Sequence, residues 1–365
     1  MPRTAKYIAP TLRCRPTARC ASAVTSGFPC SAAPRSGPAC AERIAWRQIS
    51  HAREISATMV PRRCRLALGS LRRCKAEGAM ARKLTQAQID RYERDGYVHP
   101  IDVFPRDQAL AYGAALEAFE QGHGFQLGKG HNFKPHLLFT WVDAIVHHPA
   151  VLDAVEDLIG PDIRLFHLSV WPKNAHDAAF VPWHQDATYF GLEPTEHVTA
   201  WVALSDAPIA AGCMEVIPGS HKKGQHLHHV DPSPHNLLSR GQTMSAVPDQ
   251  PRTDFMAVNA GQMSLHHTYL MHRSGPNNTD YRRVGLGISY IPAHVRCRST
   301  TRLTAMLVRG TDRHGHFDDE PRPVVDYGDA ERAFHEKAVA LFRQSNTEQA
   351  AQYDAATSPA SGRGR

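Results

Sequence analysis

The stretch Trp183-His184-Gln185-Asp186 sets the expectations for the whole chain. Successive side chains of an extended segment point to opposite faces, so His184 and Asp186 would share one face. The apolar residues around this pair favour a buried position, where a charge must be paired or bind a metal. His272, which opens a later His-Arg-Ser-Gly segment, would complete a group of two histidines and one carboxylate.

Two histidines and one carboxylate on one side of a metal leave coordination positions open on the other side. This ligand set is typical of non-haem Fe(II) oxygenases. The chain contains 23 histidines, so a single His-x-Asp pair carries little weight by itself. We expect His147, His148 and the histidines between residues 221 and 235 to be structural or to face solvent.

The sequence after residue 162 changes to the period of two that is typical of β-strands. Short strands separated by turns predict a mainly β fold with flanking helices, in which the two sheets of a jelly roll close around a pocket. Strands are predicted over residues 163–171, 197–204, 214–217, 255–258, 262–267 and 284–291. Capping residues and apolar stripes predict helices over 86–95, 105–121 and 149–159, and a late helix over 330–342.

Positive charge is concentrated in residues 1–79. This segment carries 15 of the 42 Lys and Arg residues but only 3 of the 35 Asp and Glu residues. The rest of the chain therefore carries 27 basic and 32 acidic residues. We interpret it as a disordered basic leader, or as sequence translated upstream of a start at Met80. A transit peptide and a basic arm for nucleic acid or membrane are alternatives. The catalytic domain is expected at 80–345 and a disordered tail at 346–365.

The cysteines follow the same division, since six of the eight precede Met80. The chain has no CxxC pair, which disfavours a zinc site, and Cys213 and Cys297 are expected to be packed, reduced thiols. No apolar run approaches the length of a membrane span. We therefore expect a soluble cytoplasmic protein that acts on a small molecule, without a nucleic-acid or membrane partner.

Several segments in order resemble the phytanoyl-CoA dioxygenase-like family of Fe(II)/2-oxoglutarate oxygenases, over about residues 85–300. The resemblance depends on residues 183–186, on Gly-Cys-Met-Glu-Val-Ile-Pro-Gly-Ser-His at 212–221, and on His-Arg-Ser-Gly-Pro-Asn at 272–277, which leads to Arg282 and Arg283. It implies a cupin-like double-stranded β-helix around iron. It also implies His184, Asp186 and His272 as the iron ligands, in preference to His266 and His267.

One arginine would bind the 2-oxoglutarate carboxylate, because its guanidinium forms a bidentate pair that lysine cannot match. Arg282 and Arg283 point to opposite faces of a strand, and spacing alone does not select between them. The family pattern selects Arg283. The resemblance also implies that Ser274 assists the same carboxylate and that His167 contacts 2-oxoglutarate; a packed core histidine is the alternative.

The resemblance implies hydroxylation of a C–H bond, with Fe(II), 2-oxoglutarate and O2 as cofactors and with succinate and CO2 as products. Related halogenases have a small residue where Asp186 stands, so hydroxylation is favoured over halogenation. A jelly-roll metalloprotein that does not use 2-oxoglutarate, such as a cupin-type dioxygenase or isomerase, is one alternative. A non-catalytic binding protein that acts through the basic leader is another.

The substrate is expected to be a small molecule whose identity the family leaves open. Candidate contacts are Gln185, Tyr189 and Phe190, and the loops at 122–140 and 221–252 are expected near the pocket. Phe139 and Trp141 suit either an apolar part of the substrate or the core.

Overall fold

The structure, a computed structural model, describes residues 83–127, 132–249 and 252–357, and the predicted leader lies outside these ranges. All of them belong to one compact unit, Cys74–Arg365. The α-helices are α1 (Gln86–Asp95), α2 (Arg106–His123), α3 (Thr140–Val146), α4 (Pro149–Ile159) and α5 (Asp329–Thr357). The strands are β1 (Tyr97–Asp102), β2 (Ile163–Lys173), β3 (Val181–His184), β4 (Leu192–Glu193), β5 (Val198–Ala203), β6 (Met214–Val216), β7 (His228–Val230), β8 (Gln242–Met244), β9 (Asp254–Met256), β10 (Gln262–His267), β11 (His272–Ser274), β12 (Arg283–Pro292), β13 (Arg296–Cys297), β14 (Thr304–Arg309) and β15 (Asp318–Asp319).

Local signals fix the ends of the early helices. Thr85 and Gln88 form a reciprocal capping box at the start of α1, and Gly96 ends it with φ 87°. Both ends lie where the sequence predicts them. Helix α2 continues past the predicted stop at Gly122 and ends at Gly124, where φ is 70°. One internal glycine costs a helix only about 1 kcal/mol, so it does not end α2.

Two sheets form the jelly roll, as predicted. The larger has the order β1-β10-β5-β12-β2-β14-β15, and the smaller has the order β3-β11-β6-β9. All pairings in the two sheets are antiparallel except β14 with β15. The predicted strands lie within two residues of the observed bounds. Both strands that carry candidate ligands, β3 and β11, belong to the smaller sheet.

Strand β12 is buried along its whole length and separates the core from the site. Alternate residues, such as Leu286 and Ile288, join the apolar core that also contains residues of α2, α3 and α4. The residues between them face the other way and include glycines. A Cβ on Gly285 would lie 2.0 Å from Trp201, and one on Gly287 would lie 2.7 Å from Trp171. These glycines therefore leave room for two tryptophans beside the site.

Helix α5 corrects the predicted tail. It runs to Thr357, so residues 346–357 are helical, and only 358–365 of the predicted tail lie outside the described ranges. The small polar composition of this segment suggested a tail, but Ser345, Gln349 and Ala350 are buried in the fold. Glu348 accepts hydrogen bonds from the side chains of Ser299 and Thr301, at 2.6 Å each.

Cys213 and Cys297 are both free thiols, and Cys213 is buried, as expected. Among the described helices, none combines the length and the apolar character that crossing a bilayer requires.

Candidate metal centre

His184, Asp186 and His272 converge from three elements. His184 ends β3, Asp186 begins a 3-10 turn, and His272 begins β11 as the register partner of His184. The Nε2 atoms of His184 and His272 each lie 3.6 Å from Asp186 Oδ1. In the described ranges, these residues form a group whose ligand atoms all lie within 4.8 Å of one another. The extended conformation of the 183–186 segment ends at Gln185. The 3-10 turn that begins at Asp186 still brings the carboxylate to the two histidines.

Backbone carbonyls set the orientation of both histidines. The Nδ1–H of His184 donates to the carbonyls of Pro182, at 2.9 Å, and His272, at 3.1 Å. The Nδ1–H of His272 donates to the carbonyl of Leu270 at 2.9 Å. Each ring therefore presents the lone pair of Nε2 to the centre of the group, which is the arrangement of a metal-binding histidine. Burial lowers the pKa of His272 well below its ordinary value, so its ring is in the neutral, ligating form.

The second oxygen of Asp186 is held by two residues that the sequence did not identify. Thr199 Oγ1 donates to Asp186 Oδ2 at 2.7 Å, and His266 Nε2 lies 3.2 Å from the same atom. Thr199 and His266 are partners across β5 and β10. Burial alone would raise the pKa of Asp186, but the neighbouring His272, His184 and His266 lower it well below its usual value. The strand register, which sequence alone does not give, creates this support for an ionised carboxylate.

A cavity of about 520 Å³, which we call the Arg283 cavity, opens beside this group. Arg283 lines it with only 4% of its surface exposed. Its guanidinium lies 5.3 Å from the ring centre of Trp201, and Nη1 makes one long contact of 3.5 Å with the carbonyl of Trp171. Nε has no hydrogen-bond partner among the described residues. Burial lowers the pKa of Arg283 to about 10, so it remains charged at neutral pH.

Arg282 points to the other side of the strand and makes an ion pair. Its Nη1 and Nη2 lie 2.6 Å and 3.0 Å from the two carboxylate oxygens of Glu120. Arg282 is absent from the lining of the Arg283 cavity. The structure thus separates the two neighbouring arginines, of which one is paired and the other faces the cavity.

Ser274 also lines the Arg283 cavity, but its hydroxyl is already engaged. Its Oγ donates to the carbonyl of Gly212 at 2.8 Å and accepts from Lys173 Nζ at 2.5 Å. The same nitrogen donates to the carbonyls of Ser274, at 3.3 Å, and Gly275, and burial and the neighbouring Arg283 charge lower the pKa of Lys173 to about 6. Lys173 is fully buried and is the register partner of Arg283. The structure therefore places Ser274 at the expected cavity, with its proton donated to the carbonyl of Gly212.

His167 lies in a second cavity of about 750 Å³, which we call the His167 cavity. Both cavities are lined by His184 and Asp186, whereas Arg283 lines only the first. The structure therefore does not bring His167 and Arg283 into one cavity. Phe190 lines the His167 cavity, as do residues 237–240 and 242 of the loop that we expected near the pocket.

The other candidate contacts are placed differently. Gln185 is fully buried and lines neither cavity, so its assignment as a substrate contact is not supported. Its amide donates to the carbonyls of Gly224, at 2.9 Å, and Tyr269, at 2.7 Å, because it points away from its neighbours His184 and Asp186. The side chain of Tyr189 lies outside the described part of the structure. Phe139 and Trp141 pack in the core and line neither cavity.

A jelly roll with two histidines and one carboxylate at its centre defines the class of non-haem iron oxygenases. A sequence model of the phytanoyl-CoA dioxygenase family matches residues 92–285, which is more than half of the chain. The chain belongs to this family, whose members are Fe(II)/2-oxoglutarate-dependent dioxygenases or hydroxylases.

Individual relatives agree with this assignment. A probable alpha-ketoglutarate-dependent hypophosphite dioxygenase of Stutzerimonas stutzeri is 30% identical over 44% of this chain and 56% of its own length. An L-proline trans-4-hydroxylase of Streptomyces griseoviridis is 28% identical over 41% of this chain and 64% of its own length. The chain thus spans less than two thirds of these curated relatives. The solved structure of the non-heme monooxygenase ThoJ is 33% identical with a TM-score of 0.65, and the match covers 73% of this chain and 99% of ThoJ.

Proposed function

We propose that this chain is a non-haem Fe(II)/2-oxoglutarate dioxygenase that hydroxylates a C–H bond of a small molecule and releases succinate and CO2. One observation carries the proposal. A metal-binding group and a buried arginine without a carboxylate partner among the described residues line the same cavity. The name of the Streptomyces relative, a hydroxylase, supports the type of reaction.

His184, Asp186 and His272 would hold Fe(II). The orientation of their rings by carbonyl groups and the ionised state of Asp186 fit a divalent cation. Bound Fe(II) with 2-oxoglutarate and O2 supplies the oxidising chemistry, and the residues of the chain supply orientation and a dry environment. Because Asp186 occupies a ligand position, we expect hydroxylation rather than halogenation.

Arg283 would bind the distal carboxylate of 2-oxoglutarate. A buried cation without a counter-charge is costly, and an incoming carboxylate removes that cost. The guanidinium can pair with both carboxylate oxygens, and its position over Trp201 limits its rotation. Lys173 lies beside Arg283, where burial and the Arg283 charge lower the pKa of Lys173 to about 6, and its Nζ holds the backbone of Ser274 and Gly275. We therefore assign Lys173 as a positioning residue for this end of the cosubstrate.

Two tryptophans restrict access of water to the cosubstrate side. Trp171 and Trp201 line the Arg283 cavity, and Gly285 and Gly287 allow them to lie against β12. Their apolar surfaces strengthen the electrostatic attraction between Arg283 and a carboxylate, because they lower the local dielectric constant.

The cupin-type alternative, which does not use 2-oxoglutarate, has no role for Arg283. A buried arginine that faces the metal-binding group is therefore an observation against it. The cytoplasmic location and the lack of a nucleic-acid partner remain predictions from the distribution of cysteines and charge.

An anaerobic titration of the full chain with Fe(II) and 2-oxoglutarate tests the proposal. We expect the metal-to-ligand charge-transfer band that arises when 2-oxoglutarate chelates the iron, and we expect no band from His184→Ala. If the band is missing from the wild-type protein, or persists unchanged in His184→Ala, the proposal is wrong. A band without any 2-oxoglutarate requirement for turnover would favour the cupin-type alternative.

A further inference from the structure

We infer that a line of hydrogen bonds behind Asp186 prevents its carboxylate from binding the metal through both oxygens. The line runs through Thr199, His197 and Thr268, which we call the Thr199 network. Its members are positioning residues, because they act on the reaction only through the orientation of Asp186. The inference rests on the proposed function, since it takes the candidate metal centre as the iron site. It goes further by assigning a role to residues that lie outside the ligand set.

The two carboxylate oxygens of Asp186 have different surroundings. Oδ1 lies 3.6 Å from the Nε2 atoms of His184 and His272, on the side of the metal-binding group. Oδ2 instead lies 2.7 Å from Thr199 Oγ1 and 3.2 Å from His266 Nε2. An ionised carboxylate only accepts hydrogen bonds, so both of these neighbours donate a proton to Oδ2. One oxygen therefore faces the other metal ligands, and the second is held by the protein.

The proton positions in the rest of the Thr199 network follow from this first bond. Because the Thr199 hydroxyl donates to Asp186, its oxygen must accept from His197 Nε2, which lies 3.1 Å away. Burial lowers the pKa of His197 to about 4, so its ring carries a single proton at neutral pH, on Nε2. Its Nδ1 therefore accepts from Thr268 Oγ1 at 2.9 Å. No other arrangement of protons makes all three hydrogen bonds.

The Thr199 network is anchored in β5 and β10, neighbouring strands inside the larger sheet. Thr199 lies on β5, His197 comes directly before that strand, and Thr268 comes directly after β10. All three residues are buried, and burial strengthens each bond because it excludes competing water. The carbonyl of Thr268 also accepts from the Ala187 N–H at 3.2 Å, at the turn that begins with Asp186. The same strands therefore hold both the carboxylate and the backbone next to it.

The fixed second oxygen determines how many coordination positions stay free. Two histidines and one carboxylate oxygen leave three positions of an octahedral ion open. Under the proposed function, 2-oxoglutarate would take two of these positions and O2 would need the third. A carboxylate that bound through both oxygens would take the position that O2 needs. The Thr199 network therefore keeps the site accessible to O2.

Nitric oxide, an analogue of O2, measures whether this position is free. The full chain is loaded with Fe(II) and 2-oxoglutarate without oxygen, and nitric oxide is titrated while the electron paramagnetic resonance signal of its iron complex is recorded. Thr199→Val removes the hydroxyl and nearly preserves the shape, so Asp186 Oδ2 becomes free to turn to the metal. We expect this variant to bind nitric oxide about 10- to 100-fold more weakly, the effect of losing a hydrogen bond to a charged group. Thr199→Ser, which retains the hydroxyl, should bind it like the wild-type protein.

The affinity for the metal itself distinguishes this effect from damage to the site. Calorimetric titration with Co(II) should give the same Kd for Thr199→Val as for the wild-type protein, because a second carboxylate oxygen compensates for the lost support. A merely structural role would weaken the binding of Co(II) and of nitric oxide together. Thr243→Val is the matched control, since Thr243 lies on β8 and lines neither cavity. It should leave both values unchanged.

His197→Leu tests the Thr199 network one bond further from the metal. Thr199 keeps its hydroxyl but loses the partner that fixes its direction, so nitric oxide should bind about 2- to 10-fold more weakly. The inference is overturned if Thr199→Val or His197→Leu binds nitric oxide like the wild-type protein, or if Thr199→Ser is as weak as Thr199→Val. A parallel loss of Co(II) affinity in Thr199→Val overturns it as well. If the wild-type protein lacks the Fe(II)/2-oxoglutarate charge-transfer band, the proposed function has failed instead.

Discussion

The two cavities share His184, Asp186 and residues of β2, β5 and β12, but the rest of each lining comes from different parts of the chain. All residues that line the Arg283 cavity lie on or next to strands of the two sheets, and all except Gly287 fall within the family match at 92–285. The His167 cavity takes lining residues from the 237–242 loop and from α5, which lies beyond that match.

This difference separates what the fold provides from what the individual chain adds. Hydrogen-bonded sheets hold side chains at fixed positions, which suits a cosubstrate that is the same throughout a family. Loops and a terminal helix tolerate changes in length and sequence, which suits a substrate that differs between members. The following predictions test this division, in order of decreasing expected effect.

Removal of a shared ligand should disable both cavities. We expect Asp186→Ala and His184→Ala each to eliminate the charge-transfer band and substrate-coupled succinate formation, because two remaining ligands do not hold the iron in an open, ordered site. The matched control is His229→Ala, which replaces an exposed histidine and should retain activity. Undiminished turnover in both ligand variants would exclude the assigned metal site.

Glu320 should stabilise the segment that carries Asn132 and Phe133 of the His167 cavity. Its carboxylate accepts from Lys134 Nζ at 2.5 Å and from His136 Nε2 at 2.8 Å, with all three side chains buried. This network fixes the segment next to Asn132 and Phe133. Glu320→Gln should lower the free energy of unfolding by about 3–5 kcal/mol, the usual cost of breaking a buried ion pair, as measured with denaturant. Asp318→Asn, at an exposed pair with Arg302, should cost less than about 1 kcal/mol.

The same network predicts a pH dependence. Burial alone would raise the pKa of Glu320, but Lys134 and His136 lower it to about 2 from an ordinary value of 4.5. A lowered pKa stabilises the fold above the ordinary value, and the stabilisation disappears as the pH falls towards the folded value. The free energy of unfolding should therefore fall between pH 4.5 and 2. If Glu320→Gln shows the same slope in that interval, another carboxylate is responsible.

Variants of the two neighbouring arginines should change different properties. Replacement of Arg283 should weaken cosubstrate binding, and replacement of Arg282 should lower the stability of the fold. Arg283→Ala should raise the 2-oxoglutarate requirement about 10- to 100-fold, because it loses charge-assisted hydrogen bonds worth about 1.5–3 kcal/mol. Arg282→Ala should leave that requirement nearly unchanged and lower the melting temperature, since Glu120 would remain buried without its partner. The reverse order would show that the wrong arginine was assigned.

Lys173 should have the smallest effect. Lys173→Met removes the hydrogen bonds from Lys173 to Ser274 and to the carbonyl of Gly275 beside Arg283, so 2-oxoglutarate should bind about 2- to 10-fold more weakly. Lys223→Met, at an exposed lysine, serves as the control. An unchanged Kd for 2-oxoglutarate in a folded Lys173→Met protein would show that the lysine has only a structural role.

The sequence by itself determined the elements and the chemistry of the centre. Capping residues such as Thr85 and Gly96, and the alternation along β12, depend on neighbouring residues, so α1, α2, α4 and six of the strands could be predicted close to their observed bounds. His184 and Asp186 could be named from a local motif, and the family resemblance implied His272 rather than His266 or His267. Helix α3 was missed because seven residues carry too little periodic signal.

The tertiary structure alone decided how these parts meet. Strand register paired Thr199 with His266 behind Asp186, and it placed Lys173 beside Arg283. Packing turned the side chain of Gln185 away from both cavities. It also placed residues of α5 in the lining of the His167 cavity, although the sequence of the last part of α5 suggested a disordered tail. Register and packing depend on residues far apart in the chain, whereas periodicity and capping depend on neighbours, so only the folded chain could show which residues line the two cavities.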